Sequence, residues 1–274
     1  MNRNDLKGLN THFAFGRNWA SYAESIAEAE ILEAEAGLQR LLGGQGLVGL
    51  RFLDIGCGSG IHSLAALRLG AADVVAVDLD PDSVATTRAV LAHHAAAGRF
   101  RVEQISVFDL QPIKLGTFDV VYSWGVLHHT GDMYGAVRTA AQMVGERGQF
   151  VFALYRRTWC CPLWKIEKRW YSRTSGTMQS LARGVYKFFF RLGLWATGRR
   201  FSRYVETYKR NRGMDFEHDV HDWMGGYPYE SISPGKVDAL VGGLGFRKVR
   251  VFARSFRLTG VFASGCDEYV YERV

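Results

Sequence analysis

Between residues 47 and 155 short apolar runs and helix-like repeats take turns along the chain. LRFLDIG (50–56), DVVAVDL (73–79), RVEQISVF (101–108), FDVVYSW (118–124) and QFVFALY (149–155) are β-rich runs of strand length. Between them HSLAALRLGA (62–71), PDSVATTRAVLAHHAAAG (81–98) and MYGAVRTAAQMVGERG (133–148) carry a helical pattern, and Pro81 suits the first turn of its helix. Strand and helix alternating at this spacing predict βαβ units, hence a parallel sheet covered by helices on both faces. After residue 232 the rhythm returns: SPGKVDALVGGLG (233–245) is a helix, and FRKVRVFA (246–253) and DEYVYERV (267–274) are two strands expected to pair antiparallel at the sheet edge.

Two stretches stand outside that rhythm. Residues 1–46 read as helical, since ASYAESIAEAEILEAEAGLQRLL (20–42) is rich in Ala, Glu and Leu and stops at Gly43–Gly44. Residues 156–232 form a basic, aromatic insert. Within 156–212 there are 15 Lys or Arg against Glu167 and Glu206, a local net of +13 in a chain whose formal charge is +7, together with four of the seven tryptophans. The organisation expected is therefore an N-terminal helical lid (1–46), an α/β core (47–155), a helical cap (156–232) and a completion of the core sheet (233–274).

At 274 residues, 47% apolar and 22% charged, the chain has the composition of a globular protein with a substantial core. Cys57, Cys160, Cys161 and Cys266 include no C-x-x-C pair, so neither a zinc set nor a disulfide framework is indicated, and Cys160 and Cys161 read as buried or partly buried thiols. The first residues lack an apolar signal core, and no run of about 18 uncharged apolar residues occurs. A cytoplasmic protein is expected, with contact to a membrane surface left open.

The most informative stretch is LDIGCGSG (53–60). Glycines at 56, 58 and 60 between a strand and a helix suit a ligand brought close to backbone amides, but Ile61 stands where a dinucleotide site would place its last glycine. Asp54 just before the loop would oppose a pyrophosphate and suits a cation such as the α-ammonium of an amino acid. Asp78 ends the second strand, where an acid accepts from both ribose hydroxyls. Val107, Phe108 and Asp109 at the third strand end offer an apolar and a polar contact for a base. The three strand ends present an ammonium site, a ribose site and a base site in the order of one extended ligand.

LDIGCGSG, AVDLD (76–80) and FDVVYSWGVLHHTGD (118–132) resemble the signature stretches of class I S-adenosylmethionine-dependent methyltransferases, closest to the small-molecule group that includes the quinone-ring methylases. The resemblance covers about 47–155 with specific motifs and 233–274 more loosely. It implies a Rossmann-like fold with a seven-stranded, mostly parallel sheet whose last strand is reversed. It implies S-adenosyl-L-methionine as cofactor, with Asp54, Gly56, Cys57, Gly58 and Gly60 near its methionine part, Asp78 and Leu79 at the ribose, Val107 to Asp109 at the adenine, and Ser123 and Trp124 beside the sulfonium.

For the acceptor, SWGV (123–126) stands where methylases of amide or exocyclic amino nitrogens carry (N/D)PP(Y/F), and Cys161-Pro162 has the reverse order of a cytosine-C5 nucleophile. O-methylation of a small-molecule, glycan or lipid-linked acceptor is expected, with a histidine as general base. The candidates are His128 and His129, of which one is expected to face the site, and His218 and His221 in MDFEHDVHDWMGGYPYES (214–231). That second pair also admits a structural reading, and its flanking acids leave a metal site open. Trp223, Tyr227 and Tyr229 are candidate stacking residues for the acceptor. Phe15, Trp19 and Tyr22 are candidates for a lid over the cofactor. The alternatives are a membrane-associated quinone-ring C- or O-methylase and, from another class, a non-catalytic cofactor-binding module contacting RNA or a partner protein.

MQSLARGVYKFFFRLGLWATGRR (178–200) reads as an amphipathic helix, with Arg183, Lys187 and Arg191 on one face and Leu181, Val185, Phe188, Leu192 and Trp195 on another. Packing of the apolar face as a lid or homodimer helix is the plainest reading. Contact with anionic lipid, an anionic substrate or, least favoured, nucleic acid also fits.

Overall fold

The computed structural model describes residues 15–23, 26–94, 98–212, 216–253 and 260–274. Its centre is a seven-stranded sheet of β1 (Arg51–Ile55), β2 (Asp73–Asp78), β3 (Phe100–Gln104), β4 (Phe118–Trp124), β5 (Val144–Tyr155), β6 (Phe246–Phe252) and β7 (Cys266–Arg273), in the order β3-β2-β1-β4-β5-β7-β6. Pairs among β1 to β5 are parallel, and β7 runs antiparallel to both β5 and β6. The two last strands do pair antiparallel, with β7 slotted inside β6.

Period-two alternation along the strands sorts the core into two layers. Leu53, Ile55, Val75, Val77, Val121 and Phe152 pack with Met133 and Val137 of α6 (Met133–Gln142) and Val241 of α11 (Pro234–Gly242). Their neighbours Phe52, Val74, Ala76, Val120 and Tyr122 face α2 (Glu28–Leu42), α3 (Ile61–Arg68) and α4 (Pro81–His94) through Ile31, Leu38, Leu64 and Leu91. α4 begins at Pro81, as its fixed φ favours.

Three boundaries differ from the sequence expectation. The helix anticipated over 133–148 stops at Gln142, because Val144 already pairs with Phe118; Arg147 then takes a left-handed φ of 58° and the register shifts before Gln149 resumes the ladder. The third strand ends at Gln104, and Ser106 accepts from the Phe108 amide to start a 3-10 turn at Val107–Asp109. The N-terminal stretch divides: α2 belongs to the sheet's helical layer, and α1 (Phe15–Ala23) reaches the glycine loop.

The insert folds as α7 (Cys161–Tyr171), α8 (Gly176–Ala196), α9 (Phe201–Arg212) and α10 (Phe216–Gly225) around Tyr171, Tyr208, Phe216, Trp223 and Tyr229. Its two ends lie side by side. Arg157 donates to the Ile232 carbonyl and Ile232 to the Tyr155 carbonyl, both at 3.0 Å. Arg156 clamps the buried Asp267 of β7 through three hydrogen bonds of 2.8–3.1 Å. A bidentate guanidinium–carboxylate pair of this kind fixes orientation as well as position.

Candidate active site

All five parallel strands end on one side of the sheet, and the loops there hold most of the expected site residues. After β1, Gly56, Gly58 and Gly60 all have positive φ (77°, 54° and 80°). A side chain at Gly56 would collide with Val126 in the loop after β4, and one at Gly60 would stand 3.0 Å from the Thr87 backbone of α4. Only glycine combines that conformation with that approach. Cys57 is buried with its thiol accepting from the Thr87 hydroxyl, and burial pushes its pKa far up, so it stays a packed thiol.

Asp78 is held from two sides, by the Gly58 amide on Oδ2 (3.1 Å) and the Asp80 amide on Oδ1 (2.9 Å). Leu79 lies beside it, its carbonyl accepting from Gln104. Asp54 is buried and accepts from the Ser63 hydroxyl at 2.6 Å. Burial pushes Asp54 from 3.8 to about 7; the Ser63 hydrogen bond opposes this and the Asp78 charge adds to it. Asp78 rises to about 6, mainly through burial, against the pull of its backbone donors. No basic group contributes to either value. A buried Asp54 and a half-buried Asp78, held among the described residues by hydroxyl and amide donors, suit a ligand that brings a positive charge and hydroxyls, and they oppose a phosphate. The residues present therefore fit S-adenosylmethionine.

The pKa of Asp54 has a stability consequence. The folded chain keeps a proton up to about 7 that the unfolded chain releases near 3.8, so this group lowers stability as pH climbs through that window. Asp54→Asn is expected to raise the Tm of the ligand-free protein by a few degrees near pH 8 and to change it little near about pH 4. The same variant loses the extra stabilisation that a cationic donor gives to wild type at the higher pH. Thermal scans with and without S-adenosylmethionine at both pH values check this; equal pH slopes for the two proteins would contradict it.

The other expected cofactor residues follow β3, end β4 or lie on α1. Val107 is buried in the core layer below the loop, Phe108 is partly buried, and Asp109 is exposed. Ser123 is buried and donates to the Ile55 carbonyl, tying β4 to β1, and Trp124 donates its indole N–H to Glu268 on β7. Trp19 of α1 lies against the loop, its indole 3.3 Å from where a Cβ on Gly58 would stand, and the Gly16 amide donates to Asp80. The side chains of Phe15 and Tyr22 lie outside the described residues.

The histidine pairs separate. His128 is wholly buried, its ring 3.8 Å from that of Tyr155, and its Nδ1 accepts from the Tyr155 amide at 3.3 Å. Burial, His129 and Lys168 hold its pKa well below the usual range, against a weaker pull from the Ala153 carbonyl. His129 lies nearer the surface, and its Nδ1 is 2.8 Å from the Pro228 carbonyl. A carbonyl can only accept, so Nδ1 carries the proton and Nε2 the lone pair. Gly226 makes room for this ring: a Cβ there would stand 2.5 Å from His129 Cε1. On α10, His218 reaches Ser21 of α1 and His221 meets Tyr171 and Arg183, so the two do not form one oriented base. Burial and Arg183 push His221 down to about 4.

Trp223, Tyr227 and Tyr229 are buried, and they do not present open rings. Trp223 packs against Tyr155 and Trp164 with Lys168 Nζ 3.5 Å over its face, and Tyr229 donates to Cys161 Sγ. Cys160 and Cys161 are free, buried thiols. The sequence reading missed Ser63, Val126, Gly226 and Pro228. The last two were visible only as the GGYP run, a turn signal with no partner in sequence to name.

Comparison with known proteins bears on the same region. The family profile described as Methyltransferase domain matches residues 53–152. Over those residues the chain is similar to methyltransferase domains. A ubiquinone biosynthesis O-methyltransferase of Xanthomonas oryzae pv. oryzae is 35% identical over 112 residues, 41% of this chain and 46% of that protein. The chain thus spans about half the length of the curated relatives it matches. Among solved structures, the methyltransferase fold is shared with magnesium protoporphyrin IX methyltransferase from Synechocystis PCC 6803 with bound SAH (TM-score 0.53, 16% identity, 90% of this chain and 84% of that one). It is shared also with an S-adenosylmethionine-dependent methyltransferase from Mesorhizobium loti (TM-score 0.52, 20% identity, 88% and 98%). The profile match includes the glycine loop and Asp78 and leaves the cap outside.

Proposed function

We propose that the chain transfers a methyl group to an oxygen of a small acceptor held between the ends of β4 and β5 and the cap, with His129 as general base. Bound S-adenosylmethionine supplies a methyl on sulfur that is already strongly electrophilic. The chain's own residues then have to hold the donor, align the acceptor and take its proton. Asp78 holds the ribose and Asp54 the ammonium end. The observation that carries the reading is the held ring of His129: the Pro228 carbonyl takes the Nδ1 proton and Gly226 leaves room for the ring, so Nε2 is its basic nitrogen and the ring keeps one orientation. His128, neutral and packed on Tyr155, positions that loop. The partial likeness to an O-methyltransferase supports oxygen as the acceptor atom.

The test is methyl transfer from labelled donor to a panel of phenols, enols and sugar hydroxyls, with primary amines as the contrasting set, followed by mass spectrometry. Transfer to a hydroxylated acceptor is expected. Tight donor binding by calorimetry with no transfer to any hydroxyl would turn the reading to a non-catalytic module, and transfer to amines alone would remove the base.

A further inference from the structure

The amphipathic helix α8 packs Ala182, Tyr186, Phe190 and Leu194 into the cap and turns a second apolar row outward. Its basic side meets the rest of the cap: Arg183 donates to Tyr171 and approaches His221, Lys187 pairs with Glu217 at 2.8 Å, and Arg191 lies over the Phe201 ring. The second apolar row meets solvent. Leu181, Phe188 and Trp195 are 60%, 59% and 78% exposed, with Val185 and Leu192 between them. α7 repeats the pattern, with Leu163, Ile166 and Trp170 exposed at i, i+3 and i+7. Two exposed apolar stripes on consecutive helices mark a contact with something other than water.

We propose that α7 and α8 lie in the surface plane of an anionic bilayer and bury these two stripes among its headgroups. Charge complementarity selects this occupant. Part of the +13 of residues 156–212 is met inside the protein by Asp267 and Glu217, but the cations beside the stripes stay exposed, so a second copy docking through the same face would bring like charges together, whereas anionic lipid neutralises them. Exposed cations flank the stripes, namely Lys165 and Arg169 on α7 and Arg199 and Arg200 just past α8. A depression at the end of α7, lined by Ile166, Arg169, Trp170, Arg173 and Thr174, sets apolar rings and chains beside the exposed Arg169 guanidinium, which suits a lipid phosphate. Among the described residues no helix is long and apolar enough to cross a membrane, so the contact is in-plane. This surface is separate from the donor site and stands whether or not the acceptor is itself a lipid.

Flotation with phosphatidylcholine vesicles, with and without phosphatidylglycerol, tests it. The full chain is expected to float with the anionic vesicles, with a blue shift of tryptophan fluorescence, and to bind neutral ones and high-salt samples less. The Leu181→Glu/Phe188→Glu double variant is expected to keep its circular dichroism and its donor affinity and to lose vesicle affinity by roughly 100-fold. A wild-type chain that stays in solution beside anionic vesicles overturns the proposal. So does a double variant that floats as wild type does. A stable dimer by light scattering that the double substitution dissolves assigns the face to a second copy instead.

Discussion

Alanine at His129 is expected to lower kcat by roughly 10³-fold and to leave donor affinity unchanged. The ring touches neither Asp54 nor the glycine loop in the hydrogen bonds that define it; it is fixed by the Pro228 carbonyl and by the absence of a side chain at Gly226. Gly226→Ala should therefore reproduce part of the loss, roughly 10-fold in kcat, by turning a ring that is still present. Steady-state kinetics paired with donor calorimetry separate the two effects from a loss of folding. A His129→Ala protein with full turnover would place the base elsewhere. His221 is a poor replacement, since its Nδ1 is engaged by Arg183 and Tyr171 and its pKa lies near 4.

Asp78→Ala is expected to weaken S-adenosylmethionine binding by roughly 100-fold, the scale of losing two hydrogen bonds to a charged acceptor. Two effects add. The ribose loses its carboxylate, and the Gly58 and Asp80 amides lose the acceptor that holds the loops after β1 and β2 together. Asp78→Asn keeps the shape and removes the charge, so it should fall between the two. Isothermal titration gives the answer directly, and an unchanged affinity in the alanine variant would remove Asp78 from the donor site.

Much of this site was legible in sequence because it is local. The loop 56–60 is a continuous stretch in which every second residue must be glycine, and Asp78 is set by where an apolar strand ends. The sheet followed from period-two alternation that survives even in buried strands. Where the reading went astray, distant partners decide. Val144 turns from helix to strand because Phe118 is there to pair with it. Trp223 and Tyr229 are drawn into the cap's own core. The orientation of α8 could not be read from its periodicity, because a helical repeat gives two faces without saying which one meets the protein. The cap core that takes Ala182, Tyr186 and Phe190, with Glu217, Tyr171 and His221 beside it, makes that choice.

The joined feet of the cap carry a consequence for how such a chain can change. Tyr155, Arg157 and Ile232 leave the sheet bonded to one another, so everything between them is a loop closed at its own base. Such a cassette can be exchanged for another of different length and chemistry without disturbing the strand ladder that carries the glycine loop. Acceptor preference is then free to diversify while the donor half stays as it is.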